Sequence, residues 1–202
     1  MELLLYGSWV LVWVISYLMG SISFGFLLTW LIKGVDIRDY ESGNAGATNV
    51  SRVLGKKIAV LVLLLDGLKG AAAVGLAYWL SGSAFVMATS GLAAIIGHNW
   101  PIFLRFRGGK GIATTFGVTL SLAFVPAIIA GLLAIMVISI TRYVSLGSLI
   151  STSLLPFVIL IFTQFQQVPF VYFWVTLVMA GLAIYQHRKN IRALLKGTER
   201  KF

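Results

Sequence analysis

Several long stretches of the sequence contain no Asp, Glu, Lys or Arg, among them residues 3–32, 111–141 and 143–186. A helix needs roughly 20 apolar residues to cross the hydrocarbon core of a bilayer. Each stretch is therefore long enough for one or two membrane-spanning helices. Hydrophobic residues make up 59% of the chain and charged residues only 11%, against about 25% in a soluble domain. The sequence predicts an all-α polytopic membrane protein.

The apolar segments also predict where the helices lie. The first three helices are predicted at residues 3–32, 58–80 and 84–97. Residues 111–141 contain Pro126 and fit either one long helix or two short ones, whereas residues 143–186 fit two. No basic region precedes the first segment, which favours a spanning helix over a cleaved signal peptide.

The distribution of Lys and Arg favours two helices in residues 111–141. With two helices there, every Lys and Arg except Lys69 falls on one side of the membrane. Short cytoplasmic loops are rich in these residues, so we expect about seven transmembrane helices, with the N-terminus outside and the C-terminus in the cytoplasm. The net charge of +10 is then explained by the orientation of the protein in the membrane and by attraction of the basic residues to anionic headgroups or an anionic substrate. No nucleic-acid partner is predicted.

The longest polar segment before the C-terminal tail is residues 36–52. Gly43 and Gly46 permit a positive φ, so that successive backbone N–H groups can turn toward an anion. Ser42, Asn44, Thr48 and Asn49 add short-range hydrogen-bond donors. Arg52 can grip a phosphate or carboxylate with two N–H groups. The alternative is a solvated loop between two helices, with Arg52 facing lipid headgroups.

A second segment suited to phosphate is the run Gly108, Gly109, Lys110 and Gly111. It offers bare backbone and a point cation just before a helix that we expect to begin at Ile112. The positive end of that helix would add to the field felt by an anion. The run lacks the spacing of a Walker P-loop. The alternative is a flexible loop whose lysine merely reflects the enrichment of Lys and Arg in cytoplasmic loops.

Four ionisable residues lie in or at the ends of the apolar segments. His98 and His187 each end a predicted helix at the inner interface, where either is a boundary residue, a general base or a donor to a substrate oxygen. Asp66 and Lys69 have the i, i+3 spacing of a pair on one helix face, and we interpret them as mainly structural. The sequence has no cysteine and no cluster with metal-ligand spacing, so neither a metal nor a cofactor is predicted.

Three motifs resemble those of the bacterial acyl-phosphate:glycerol-3-phosphate acyltransferases, the Y-type enzymes of phospholipid synthesis. The first comprises residues 20–25 (GSISFG), 36–38 (DIR) and 42–52 (SGNAGATNVSR), the second residues 97–101 (GHNWP) and 107–111 (RGGKG), and the third residues 187–191 (HRKNI) and 197–199 (GTE). The resemblance spans nearly the whole chain and implies a single integral-membrane acyltransferase domain over residues 1–202.

The resemblance implies transfer of a fatty acyl group from acyl phosphate to the 1-hydroxyl of sn-glycerol 3-phosphate. The products would be lysophosphatidic acid and phosphate, formed at a cytoplasm-facing site in the bacterial inner membrane. The residues expected to be catalytic are Ser42, Arg52, His187 and Asn190. The residues expected to bind substrate are Gly43, Asn44, Gly46, Thr48, Asn49, His98, Gly108, Gly109, Lys110, Gly111, Ser145 and Ser148. Glu199 matches a position with a structural role.

An acyl phosphate is already activated, so this reaction needs positioning and charge stabilisation rather than a nucleophilic side chain. We expect Ser42, the backbone of residues 43–46 and Asn190 to hold the acyl phosphate. Arg52 and Lys110 are expected to hold glycerol 3-phosphate. Two groups are candidates for the proton acceptor: His187 and a phosphate oxygen of the substrate.

Two other classes of function fit a small polytopic protein. A solute transporter predicts ionisable groups near the middle of the bilayer and two repeated halves. Here only Asp66 and Lys69 lie deep, and no repeated half is detected. A structural or assembly subunit would not need several glycine- and hydroxyl-rich loops on one face.

Overall fold

The computed structural model describes the backbone of residues 2–165 and 167–202, and the side chains of these residues from Ser8 onward. The described residues form ten α-helices, two short 3₁₀ turns (Ile37–Asp39 and Ile102–Leu104) and no strand. The helices are α1 (Glu2–Ser21), α2 (Phe24–Lys33), α3 (Ala47–Leu54), α4 (Lys56–Ser81), α5 (Ala84–Asn99), α6 (Ile112–Leu122), α7 (Phe124–Thr141), α8 (Val144–Gln164), α9 (Val171–Gln186) and α10 (Arg188–Leu195). By internal contacts the chain divides into two compact units, Met1–Val118 and Thr119–Phe202.

The first apolar segment forms two helices, so the prediction of one helix over residues 3–32 is wrong. The helix is interrupted at Ile22 and Ser23, between α1 and α2. Ser23 has extended backbone angles, and its hydroxyl accepts a hydrogen bond from the Phe26 N–H, as an N-cap does. An apolar run indicates burial in lipid but does not report a local cap of this kind.

In the unit Met1–Val118, α1 packs against α4 and α5, and α3 packs against the start of α4. The segment of α6 that belongs to this unit lies very close to α4. A Cβ added to Gly117 would overlap the carbonyl of Gly67. Small residues at such crossings let two backbones approach closely, which is how helices associate in lipid.

The segment of residues 111–141 forms α6 and α7, which confirms the prediction of two helices. The break lies at Ala123, three residues before Pro126. Pro126 falls in the first turn of α7, where a backbone N–H would have no acceptor in the helix. In the unit Thr119–Phe202, α8 packs against α7 and α9, and α10 packs on α8 and α9.

The outer faces of the helices are strongly apolar. Exposed side chains include those of Leu64, Leu68, Leu132, Ile135 and Ile140. Many buried positions are instead small or polar, such as Ser16 and Thr29. Among the described residues, the stretches long and apolar enough to cross a bilayer are Ser8–Lys33, which comprises most of α1 together with α2, Lys56–Ser81, Phe124–Thr141 and Val144–Gln164. The protein is an all-helical integral membrane protein.

Candidate functional site

Asn49 organises the polar loop that presents Ser42. Its Nδ2 donates hydrogen bonds to the carbonyls of Ile37 at 3.0 Å and Tyr40 at 3.1 Å. Its Oδ1 accepts a hydrogen bond of 3.2 Å from the Ser42 N–H. The Asn49 amide, predicted as a substrate contact, is thus buried and engaged by the loop backbone. In this structure it shapes the loop and leaves the Ser42 side chain exposed.

The glycines of this loop have different conformations. Gly43 has a positive φ of 68°, which glycine permits. Gly46 has a φ of −89° and is the N-cap of α3, so it does not use the freedom of glycine to adopt a positive φ. The Gly46 N–H donates a hydrogen bond of 3.0 Å to Asn44 Oδ1. Thr48 lies in the first turn of α3 and is half-buried.

Arg52 lies in the last turn of α3, with its side chain exposed. It lines a shallow cavity of about 360 Å³ together with Lys33, Tyr40 and Glu41. The Lys33 ammonium donates a hydrogen bond of 2.8 Å to the carbonyl of Val53 and so joins the end of α2 to α3. Lys33 and Arg52 therefore both line this open cavity in the unit Met1–Val118.

The glycine–lysine segment is fixed to the end of α5. The N–H groups of Gly108 and Gly109 donate to the carbonyls of Asn99 at 3.2 Å and His98 at 3.0 Å. A Cβ on Gly109 would overlap the His98 ring. The alternative of a freely flexible connector does not fit these contacts. Immediately after the segment, α6 begins at Ile112, as predicted.

Arg38 ties residues 36–52, here called the Ser42 loop, to the turn that leads into the glycine–lysine segment. Its guanidinium donates hydrogen bonds to the carbonyls of Leu104 at 2.8 Å and Arg107 at 3.3 Å. It also pairs with Asp36 at 2.6 Å, and this hydrogen bond lowers the pKa of the Asp36 carboxyl below its usual value. A longer contact of 3.5 Å joins Asn44 Nδ2 to the Gly108 carbonyl. The first two predicted motifs therefore lie together in the unit Met1–Val118.

Sequence reasoning gave no role to Arg38 or to Asn99. The Asp-x-Arg spacing of residues 36–38 was the available signal for Arg38. Asn99 follows His98 in the second motif and lies beside Gly111. Its side chain is buried, and neither Oδ1 nor Nδ2 has a hydrogen-bond partner within the part of the chain that the structure describes.

His98 is buried rather than exposed at a surface. Its Nδ1 lies 3.5 Å from Asp66 Oδ1. The ion pair that the i, i+3 spacing predicts is present, with Lys69 Nζ 2.8 Å from the same carboxylate oxygen. His98 therefore lies between a buried ion pair and the glycine–lysine segment.

In the unit Thr119–Phe202, Glu199 brings together two predicted site residues. Its Oε1 accepts hydrogen bonds from Ser145 Oγ at 2.5 Å and Asn190 Nδ2 at 2.7 Å. Ser148, one helical turn from Ser145, donates its hydroxyl to the Val144 carbonyl of its own helix. The structural role expected for Glu199 stays a prediction, and these contacts show which side chains it would hold.

The C-terminal tail that carries Glu199 is anchored at its end. The Phe202 N–H donates a hydrogen bond of 2.8 Å to the Arg142 carbonyl. The Lys201 ammonium lies 5.7 Å from the centre of the Tyr143 ring, within the range of a cation–π contact. These contacts attach the tail to the turn between α7 and α8.

The orientation of the His187 ring identifies its tautomer. Its Nδ1 lies 2.7 Å from the carbonyl of Ala183, one turn earlier in α9. Because a carbonyl can only accept, Nδ1 must carry the proton in this contact. In a neutral imidazole, Nε2 is then the nitrogen with the lone pair, which suits a general base.

The fold and these loops define an integral membrane protein in which each of the two units carries a cluster of polar and charged side chains. Residues 10–197 match the family described as glycerol-3-phosphate acyltransferase. The chain is 51% identical to a glycerol-3-phosphate acyltransferase of Halalkalibacterium halodurans, covering 96% of this chain and 95% of that protein. It is 48% identical to one of Thermoanaerobacter pseudethanolicus, covering 95% and 94%. The chain therefore belongs to the glycerol-3-phosphate acyltransferase family.

Solved structures show the same relationship. The chain is similar to the crystal structure of PlsY (YgiH), an integral membrane glycerol 3-phosphate acyltransferase, in its glycerol 3-phosphate form. The TM-score is 0.88 and the identity 40%, covering 96% of both chains. For the lysophosphatidic acid form of PlsY the TM-score is 0.85 and the identity 37%, covering 96% and 95%.

Proposed function

We propose that the protein transfers a fatty acyl group from an acyl phosphate to the 1-hydroxyl of sn-glycerol 3-phosphate. The ester bond to the hydroxyl oxygen forms as the acyl–phosphate bond breaks, and the products are lysophosphatidic acid and inorganic phosphate. The observation that carries this proposal is the family match over residues 10–197. The crystal structures of the similar protein PlsY in its glycerol 3-phosphate and lysophosphatidic acid forms support the acceptor and the product.

The acyl phosphate is proposed as the donor because its phosphate is a competent leaving group. The chain then has to orient two phosphate-bearing reactants and stabilise their charge. The sequence supplies no cysteine for a thioester intermediate. The exposed hydroxyl of Ser42, the backbone of residues 43–46 and the amide of Asn190 are assigned to the acyl phosphate.

Arg52 and Lys110 are assigned to glycerol 3-phosphate. Arg52 supplies a two-pronged guanidinium, and Lys110 supplies a point charge next to the first turn of α6. His187 has the tautomer required to take the proton from the substrate hydroxyl at Nε2, and a phosphate oxygen of the substrate is the other acceptor. Ser145 and Ser148 are assigned to substrate contacts, as are Asn44, Thr48, Gly108, Gly109 and Gly111.

For the arrangement in the membrane we propose seven crossings, with the N-terminus outside and the C-terminus in the cytoplasm of a bacterium. The helices α1 and α2 together make one crossing, and the six helices α4 to α9 make one each. The distribution of Lys and Arg supports this topology. The 11 residues of α6 span only about 16 Å at about 1.5 Å per residue, which allows the neighbouring loop to lie below the headgroups.

The test is the reaction itself with purified protein in detergent. Palmitoyl phosphate and glycerol 3-phosphate are expected to yield lysophosphatidic acid and equal amounts of phosphate, with phosphate release that depends on glycerol 3-phosphate. Lys110→Ala is expected to lose this dependence. A protein that forms no lysophosphatidic acid from these reactants, and consumes palmitoyl-coenzyme A instead, would overturn the donor assignment.

A further inference from the structure

The unit Met1–Val118 contains a buried ion pair whose charges both have a second contact. Asp66 and Lys69 are only 2% and 6% exposed. A buried pair costs several kcal/mol of desolvation for each ion and is often no more stabilising than apolar residues of similar size. Mutual neutralisation alone is therefore a weak reason for the pair. The second contacts show what else it does.

The second contact of Lys69 is at the break between α1 and α2. Its Nζ donates a hydrogen bond of 2.6 Å to the Ile22 carbonyl and lies 5.9 Å from the centre of the Phe24 ring. The first turn of α2 in turn supports the Ser42 loop. Gly25 is so close to this loop that an added Cβ would overlap the Ala45 carbonyl. Lys69 thus holds the helix end against which residues 43–46 rest.

The second contact of Asp66 leads to the other loop. Its Oδ1 lies 3.5 Å from Nδ1 of His98, a buried side chain at the end of α5. The His98 ring lies directly against Gly109, and the His98 carbonyl accepts the Gly109 N–H at 3.0 Å. Gly109 immediately precedes Lys110. The carboxylate of Asp66 therefore contacts both Lys69, which supports the Ser42 loop, and His98, which supports the glycine–lysine segment.

We infer that Asp66 is a positioning residue, which sets the Ser42 loop through Lys69 and the Gly109–Lys110 backbone through His98. The inference rests on the proposed function, in which these two loops bind the phosphate groups of the reactants. Displacing either loop by a fraction of an ångström weakens binding of a substrate that must meet several donors at once. Asp66 itself contacts neither reactant.

Kinetics of two variants of the purified protein test the inference. Asp66→Asn keeps the shape of the side chain and removes its charge. The exchange of Asp66→Lys with Lys69→Asp keeps a neutral pair at the same spacing but removes the carboxylate from His98. Both are expected to raise the KM for glycerol 3-phosphate by about 10- to 100-fold, with a smaller change in kcat. The matched control is Ser90→Ala, which alters another fully buried polar side chain of this unit and is expected to keep the parent KM.

A second measurement does not depend on the reaction. Because the chain has no cysteine, Lys110→Cys introduces one thiol whose labelling rate with a charged maleimide reports the position of the segment. Adding Asp66→Asn is expected to change that rate at least threefold, while adding Ser90→Ala leaves it unchanged. If the parent transfers no acyl group, the proposed function fails, and this labelling rate still tests Asp66.

Three results would overturn the inference. One is a parent KM in the exchanged variant, because neutralisation of charge would then be sufficient. Another is an unchanged labelling rate in the Asp66→Asn background. The third is failure of both variants to fold, because the pair would then be required for folding rather than for placing the loops.

Discussion

Asn190 Nδ2 donates a hydrogen bond of 2.7 Å to Glu199 Oε1. A carboxylate only accepts, so the contact fixes which end of the Asn190 amide faces the tail. The Asn190 Oδ1 atom then points away from Glu199. A residue beyond the end of α10 thereby orients a side chain that we propose to be catalytic.

Removing the Glu199 carboxylate is expected to reduce turnover. A hydrogen bond to a charged group contributes about 1.5–3 kcal/mol, so Glu199→Ala should lower kcat/KM about 10- to 100-fold. Glu199→Gln retains an acceptor oxygen without the charge and should lie between the parent and Glu199→Ala. Steady-state kinetics of the three proteins, with helical content checked by circular dichroism, measures the effect. Parent kinetics in Glu199→Ala would remove Glu199 from the arrangement of the site.

A methyl group at position 109 is expected to displace the glycine–lysine segment, because the added Cβ of Gly109→Ala overlaps the His98 ring. Overpacking of this kind costs about 1–3 kcal/mol, and the KM for glycerol 3-phosphate should rise about tenfold as Lys110 shifts. The matched control is Gly75→Ala on the exposed face of α4, where nothing lies within 4 Å of the new Cβ. Alanine there should leave the KM unchanged and raise thermal stability slightly. Equal kinetics for the two variants would contradict the prediction.

Much of the fold could be predicted from the apolar runs, because lipid requires every backbone polar group to bond within a helix. The predicted helices at residues 58–80 and 84–97 correspond to α4 and α5, with ends that differ by two residues or fewer. The breaks at Ser23 and Ala123 could not be placed. Each depends on local caps and on neighbouring helices, and neither interrupts the hydrophobic pattern.

The types of residue at the candidate site could be proposed from the sequence, but their contacts could not. The sequence itself places cations, amides and glycines near Ser42 and Gly109. It could not show that Asn49 is engaged within its own loop, or that Arg38 reaches Leu104, 66 residues away. Those roles depend on how distant segments pack. The contact of Asp66 with His98 likewise depends on the packing of distant segments. The i, i+3 spacing of Asp66 and Lys69 already explained the presence of both charges, so no signal in the sequence indicated a further partner.

The ion pair of Asp36 and Arg38 makes stability depend on pH. The Arg38 guanidinium holds the pKa of the Asp36 carboxyl below its ordinary value of 3.8 in the folded protein. The stabilisation is therefore complete above the ordinary value and is lost as the pH falls through the lower, folded pKa. For a partly exposed pair we expect about 1 kcal/mol at neutral pH.

Asp36→Asn measures this contribution. The free energy of unfolding in detergent should fall by about 1 kcal/mol at about pH 7, and the difference from the parent should shrink at about pH 3. Asp39→Asn removes an exposed carboxylate of the same 3₁₀ turn and should cost less than about 0.5 kcal/mol. A difference for Asp36→Asn that grows as the pH falls would contradict the assigned sign.

Cysteine accessibility tests the proposed orientation, because α4 separates two positions that can be labelled. Its 26 residues span about 39 Å, more than the roughly 30 Å hydrocarbon core, so the proposed topology puts its ends on opposite sides of the membrane. Ser51 precedes α4 and Ser83 follows it, and the chain has no cysteine of its own. In intact cells an impermeant maleimide should label Ser83→Cys, and it should label Ser51→Cys only after permeabilisation. Gln166→Cys, at a position outside the described residues, should behave like Ser83→Cys. The opposite pattern would invert the proposed topology and place the Ser42 loop outside, away from a cytoplasmic supply of glycerol 3-phosphate.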